Sequence, residues 1–199
     1  HHTGAVTELV EPASPVGPAA GEEILGVCSD RLADFGTFVF AGSMAPGYPV
    51  ELPGRLISAA RKAGLFVLAD FRGEELKRAL QNPPDELPNI IKINLVEFAQ
   101  TFFFGGADGL GEHTADPAVL EKAARHMQRL RKQGVEVVIT RGSQPTLVLG
   151  EDGALRHIPV VSLEAVNTIG CGDAFAAGLL AELAASSSLE DSIERAHAV

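Results

Sequence analysis

The densest chemistry in this sequence lies in a short run near its C-terminal end, Asn167-Thr168-Ile169-Gly170-Cys171-Gly172-Asp173-Ala174-Phe175-Ala176-Ala177-Gly178. Gly170 and Gly172 permit backbone conformations with positive φ and a close approach of the chain to a ligand. The helix predicted from Gly172 to Ala185 points its first N–H groups and the positive end of its dipole back at that turn. Gly170, Cys171 and Gly172 therefore read as an anion hole, suited to the charge that develops on a phosphoryl group in transfer. Asp173, at the helix start, is placed to accept the proton of an attacking hydroxyl as a general base. The same residues also read as a tight turn with Asp173 capping the helix, and the local pattern alone leaves both readings open.

The elements that must position this run can be read upstream. From residue 34 onward short apolar, β-rich stretches alternate with longer helical ones, which predicts βαβ units and a mainly parallel sheet covered on both faces. The first clear strand is Thr37 to Phe40, followed by Ala41-Gly42-Ser43 and the loop Pro46-Gly47-Tyr48-Pro49. A helix from about Leu52 to Lys62 ends at Gly64, and the strand Leu65 to Ala69 delivers Asp70 at its C-terminal end. Asp70 thus sits where parallel sheets place ligand-facing residues, and equally where an aspartate caps a loop.

A second helix is predicted over Glu74 to Leu80, then a strand over Ile90 to Ile93 ending at Asn94, and a short helix near Val96. Pro117 to Lys132 reads as a helix with proline in its first turn and Gly134 beyond its end. Strands follow at Val135 to Thr140, Leu147 to Gly150 and Arg156 to Val161, the last two flanking the turn Glu151-Asp152-Gly153.

Composition narrows the function classes. The 199 residues are 46% hydrophobic and 21% charged, the balance of an ordinary folded domain. The formal net charge of -10, with Arg129, Arg131 and Lys132 merely scattered on one helix, argues against nucleic acid as a partner. An acidic chain can still hold a phosphate, because backbone N–H groups at a helix start do the binding. No apolar stretch reaches the roughly 20 residues that span a bilayer, so no membrane partner is expected. Cys28 and Cys171 lack metal-ligand or disulfide-scaffold spacing, which fits a cytoplasmic setting. His1 and His2 read as tag or inert residues.

The run from Asn167 to Gly178 closely resembles the C-terminal signature D-T-x-G-A-G-D-x-F of ribokinase-like (PfkB) carbohydrate kinases, with Cys171 standing where the family has a small residue. An inert, buried thiol is the expectation there. Ala41 to Gly47 resembles the family's S-G-S-L-P-P-G segment. Ile91-Lys92-Ile93-Asn94-Leu95-Val96-Glu97 resembles I-K-P-N-x-x-E, with Ile93 in place of proline. Val138 to Ser143 resembles the strand and turn V-T-x-G, with Arg141 expected to be a solvated side chain unless it meets phosphate. Thr7-Glu8-Leu9-Val10-Glu11-Pro12 resembles a segment of the phosphofructokinase and tagatose-6-phosphate kinase branch.

The resemblance implies a three-layer α/β/α fold and ATP-dependent phosphoryl transfer to a sugar or sugar phosphate. Asp173 would be the base and Gly170, Cys171 and Gly172 the anion hole. Asn94, Thr140 and Gly142 would contact the nucleotide, and Glu97 would bind Mg²⁺, through water where necessary. Glu97 also reads as an ordinary first-turn helix carboxylate. The family's opening strand, Gly-Gly sugar loop and much of the lid have no counterpart here, so residues 1–199 are expected to be a single domain truncated at its N-terminus and at its C-terminus. A homodimer is compatible with this reading. The branch resemblance favours a phosphorylated ketose; the alternatives are an unphosphorylated sugar, as in ribokinase or fructokinase, and a non-catalytic nucleotide-binding module.

Overall fold

A computed structural model of the chain describes residues 11–103, 116–161, 169–185 and 188–198. The described elements run α1 (Ala20–Arg31), β1 (Thr37–Ala41), α2 (Leu52–Lys62), β2 (Phe66–Asp70), α3 (Gly73–Ala79), β3 (Ile90–Asn94), α4 (Leu95–Phe102), α5 (Pro117–Arg131), β4 (Glu136–Arg141), β5 (Gln144–Leu149), β6 (Leu155–Ile158), α6 (Cys171–Ala184) and α7 (Leu189–Ala196). Helix α1 precedes the first element expected from sequence. Its missing signal is physical: Gly21 is its one buried residue, so no apolar stripe marks it.

The six strands lie in sequence order, β1 to β4 parallel and β5 and β6 antiparallel. Each parallel crossover therefore steps one strand along in the same direction. Right-handed crossovers then put α2, α3, α4 and α5 on one face. The packing agrees: Ile57, Leu76, Phe98 and Met127 from those helices bury against Val67, Ala69, Ile91, Ile93, Val137 and Ile139. Strand residues of the other parity, Leu68, Ile90, Val138 and Val148, meet Phe175, Leu179 and Ile193 of α6 and α7. Helices thus cover both faces of the sheet, the three layers expected from the βαβ pattern.

This parity decides the site. Asp70, Lys92, Asn94 and Thr140 share the parity of Leu68, Ile90 and Val138, so all four lie on the α6 face at the carboxyl ends of β2, β3 and β4. Local signals fix the helix ends that meet them. Asn94 caps α4 by accepting a hydrogen bond from the Glu97 N–H at 2.8 Å. Asp116 caps α5 through the Ala118 N–H at 2.9 Å, with Pro117 in first position.

Phe98, next to Glu97, is fully buried and packs tilted against Phe102 and edge-to-face against Phe103 and His126, so it anchors α4. Phe98→Ala is expected to cost about 3–5 kcal/mol through lost burial and an unfilled cavity. A urea denaturation midpoint close to that of the parent protein would contradict this anchoring role.

Candidate active site

The site is assembled where the C-terminal ends of β1, β2 and β3 meet the start of α6. Gly170 adopts φ 82° and precedes α6, whose first turn closes with the Ala174 N–H donating to the Gly170 carbonyl at 2.9 Å. That left-handed conformation is strained for residues with a Cβ, so glycine is required by the turn. Asp173 lies in the first turn of the helix, exposed to solvent. Gly170, Cys171 and Gly172 immediately precede it, where a helix start leaves N–H groups without intrahelical partners.

Beneath this turn runs a cleft of about 620 Å³, a size that suits a small-molecule ligand. Its walls include Gly42, Ser43 and Met44 after β1, Asp70 to Gly73 after β2, Lys92 and Asn94 of β3, Glu97 of α4, and Asp173. Four residues singled out in sequence, Asp70, Asn94, Glu97 and Asp173, thus converge on one space. The loop after β1 joins them. Thr140 lies beside Asn94 in the β3–β4 register, and Gly142 occupies the turn between β4 and β5 with φ 58°. These two flank the cleft and do not line it.

Lys92 is the residue that sequence reading passed over. Its side chain is 8% exposed and its Nζ lies 2.8 Å from Asp70 Oδ2, itself on a side chain 13% exposed. A Cβ added at Gly172 would stand 3.0 Å from the same Nζ. The ammonium therefore sits directly under the α6 start and between the glycine turn and Asp70. A side chain at Gly172 would crowd this ammonium unless the lysine shifted. The usable signal was a lysine whose parity matches Ile90 in a strand otherwise buried along its length.

The electrostatics are those of a crowded carboxylate site. Burial pushes the Asp70 carboxyl above its ordinary range; the Lys92 ammonium pulls it down, while Glu97 and Asp173 push it further up. Asp70 thus pairs with a lysine and does not cap its loop through its side chain. Glu97 Oε1 stands 3.8 Å from Arg72 Nε, an exposed pair of little energetic weight. Thr101 holds the helix beside it, donating to the Glu97 carbonyl at 2.7 Å and accepting the Gly73 N–H at 3.0 Å.

Two expectations are corrected. Arg141 is 3% exposed and so is not solvated; Nη1 donates to the Pro145 carbonyl at 3.4 Å, and burial depresses its basicity. The cause is the β5 strand folding back antiparallel beside it. Cys171 is exposed, not buried, because the first turn of α6 projects beyond the core. Asn167, Thr168 and residues 7–10 lie outside the described residues.

Among the described residues no cluster of three or more His, Cys, Asp or Glu side chains is arranged to hold a metal. The donors at hand, Asn94, Glu97 and Asp173, are oxygen ligands of the kind magnesium takes a few at a time, keeping its waters. Among the described residues no helix is long and apolar enough to cross a membrane.

A three-layer sheet with its cleft at the carboxyl ends of the strands, under a helix opened by glycines, defines a ribokinase-like α/β/α protein. Solved structures agree. The possible 1-phosphofructokinase of Thermotoga maritima superposes with TM-score 0.79 at 20% identity, over 99% of this chain and 58% of that one. The tetrameric inhibited form of Escherichia coli phosphofructokinase-2 does so with TM-score 0.71 at 23% identity, over 95% and 58%. In sequence, the ATP-dependent 6-phosphofructokinase isozyme 2 of Escherichia coli (strain K12) is 28% identical over 155 residues, 78% of this chain and 46% of that protein. The family described as pfkB family carbohydrate kinase matches residues 15–199, and the chain belongs to it. The chain spans about half the length of these relatives.

Proposed function

We propose that this chain carries the phosphoryl-transfer half of an ATP- and Mg²⁺-dependent kinase that phosphorylates a hydroxyl of a sugar phosphate. The observation that carries the reading is the convergence of Asp173, Asn94, Glu97 and the Asp70–Lys92 pair on one cleft below the α6 start. Asp173 takes the proton of the acceptor hydroxyl. The main chain of Gly170, Cys171 and Gly172, with the Lys92 ammonium beneath, stabilises the negative charge that accumulates on the transferred group. Glu97 and Asn94 would hold Mg²⁺, in part through water, and Mg²⁺ when bound neutralises phosphate charge. Thr140 and Gly142, one strand along, would lie against the nucleotide.

The acceptor reading draws on the relatives' names, 6-phosphofructokinase and possible 1-phosphofructokinase, and on the resemblance of residues 7–12 to the same branch. The full-length protein with Mg²⁺ and ATP should release ADP with fructose 6-phosphate, fructose 1-phosphate or tagatose 6-phosphate. The best of these should exceed ribose and fructose in kcat/KM by at least about 100-fold, since a site built for a second phosphate leaves polar groups unpaired without it. Preference for ribose or fructose would refute the phosphosugar acceptor. Absence of ADP release with every sugar would favour a non-catalytic nucleotide-binding module.

A further inference from the structure

The first turn of α6 overhangs the body of the protein. Residues 169–174 are all exposed, and Phe175 is the first side chain of the helix to be buried. Its ring stacks on the imidazole of His197, with centroids 5.0 Å apart and planes inclined by 25°. His197 follows the last residue of α7 and is held at both nitrogens. Nε2 lies 2.9 Å from Thr146 Oγ1 on β5, and Nδ1 lies 3.1 Å from the Pro159 carbonyl oxygen just beyond β6. A carbonyl only accepts, so Nδ1 carries the proton and Nε2 accepts from the Thr146 hydroxyl. The neutral ring has both of its hydrogen bonds, and Thr146 is 1% exposed.

We propose that His197 is a positioning residue for Asp173: clamped between β5 and the exit of β6, it is the platform on which Phe175 rests, and it thereby sets the height and rotation of the α6 first turn. The catalytic part of this inference rests on the reading of Asp173 as the base. Asp173 and Phe175 lie within one helical turn of each other, so a shift of the ring is passed directly to the carboxylate. Displacement of a reacting group by 1 Å can cost about 100-fold in rate.

The platform works in its neutral state. Burial holds the imidazole below its ordinary 6.5, against the Pro159 carbonyl and Glu194, which both favour the cation. From the other elements packed on the ring come Phe175 of α6 and Thr146 of β5, neither charged. Arg195 on α7 is engaged by Glu182 of α6 at 3.1 Å. His157 of β6 alternates onto the face opposite Ile158, which packs with α6 and α7. A folded-state value lowered below 6.5 means that the stabilisation is present above 6.5 and is lost as the pH falls through the folded value.

The test compares amide hydrogen exchange and steady-state kinetics of the full-length protein with His197→Phe, which keeps a stacking ring, Thr146→Val, and the double variant. Exchange of the hydrogen-bonded amides of the first turn, Ala174 and those that follow it in the peptide covering residues 169–175, should accelerate about tenfold in each, while peptides from β3 and α5 keep their protection. The kcat should fall about tenfold with the nucleotide KM shifted less than about twofold, and the double variant should be no worse than the single ones. In the parent protein, exchange of that peptide, corrected for its intrinsic pH dependence, should rise below pH 6.5, and His197→Phe should abolish that rise. Unchanged exchange at the first turn, or equal acceleration throughout the sheet, would overturn the platform. Faster exchange with undiminished kcat would overturn its catalytic consequence. If exchange behaves as expected and the parent protein transfers no phosphoryl group, the platform stands and the phosphoryl-transfer reading falls.

Discussion

Asp173→Asn in the full-length protein is expected to lower kcat by about 10³-fold while nucleotide affinity stays within about threefold of the parent. The substitution removes the proton acceptor and keeps the side chain's size. Asp173 is exposed in the first turn of α6, so no packing is lost with it. The remaining structural cost is the loss of a carboxylate from the positive end of a helix, about 0.3–1 kcal/mol. A midpoint of denaturation close to the parent's, alongside the loss of turnover, would separate the base from a merely stabilising first-turn carboxylate. If the asparagine variant turns over at the parent rate, Asp173 is only a first-turn carboxylate at the positive end of α6, whose cap is Gly170 without a side-chain capping bond, and the site must be sought elsewhere. Because Asp173 also pushes the Asp70 carboxyl upward, its neutralisation should let Asp70 titrate at lower pH.

How much of this was legible in the sequence depends on whether the signal was local. The strands β1 to β4 are, because each is a short apolar run bounded by Gly, Pro or Asp, and their parity then follows from the backbone. The α6 start is legible for the same reason: Gly170 needs a positive φ and Asp173 follows at the helix start. Burial that depends on a distant segment is not. Arg141 reads as a surface residue until β5 turns back against β4, and Cys171 reads as core until the first turn of α6 is seen to overhang. Helix α1 left no trace because it buries almost nothing. Lys92 was visible only as a letter in a motif, and its role emerges when the sheet brings it under Gly172 and against Asp70.

Lys92→Met is the variant in which structure and chemistry are most entangled, and a second substitution disentangles them. Removing the ammonium leaves the Asp70 carboxylate largely buried without its cation, which is expected to cost about 3–5 kcal/mol of stability near neutral pH. The sign with pH is fixed. Asp70 already titrates above the 3.8 of a free aspartate because it is buried, and loss of Lys92 removes the influence that lowers it, so the folded value climbs further. A group raised in the folded state stabilises most at low pH and loses that contribution as the pH rises through the folded value. The deficit of Lys92→Met should therefore be smaller at pH 5 than at pH 8, measured by urea denaturation. Adding Asp70→Asn removes the stranded charge and should recover most of the stability at pH 8. It should not recover turnover, which is expected to remain about 100-fold or more below the parent, because the ammonium beside the α6 start, proposed to stabilise the transferred group, is still missing. Recovery of both in the double variant would show that Lys92 serves only to neutralise Asp70. Recovery of stability alone would mean that the Lys92–Asp70 pair serves turnover as well as folding, with Asp70 holding the ammonium toward Gly172.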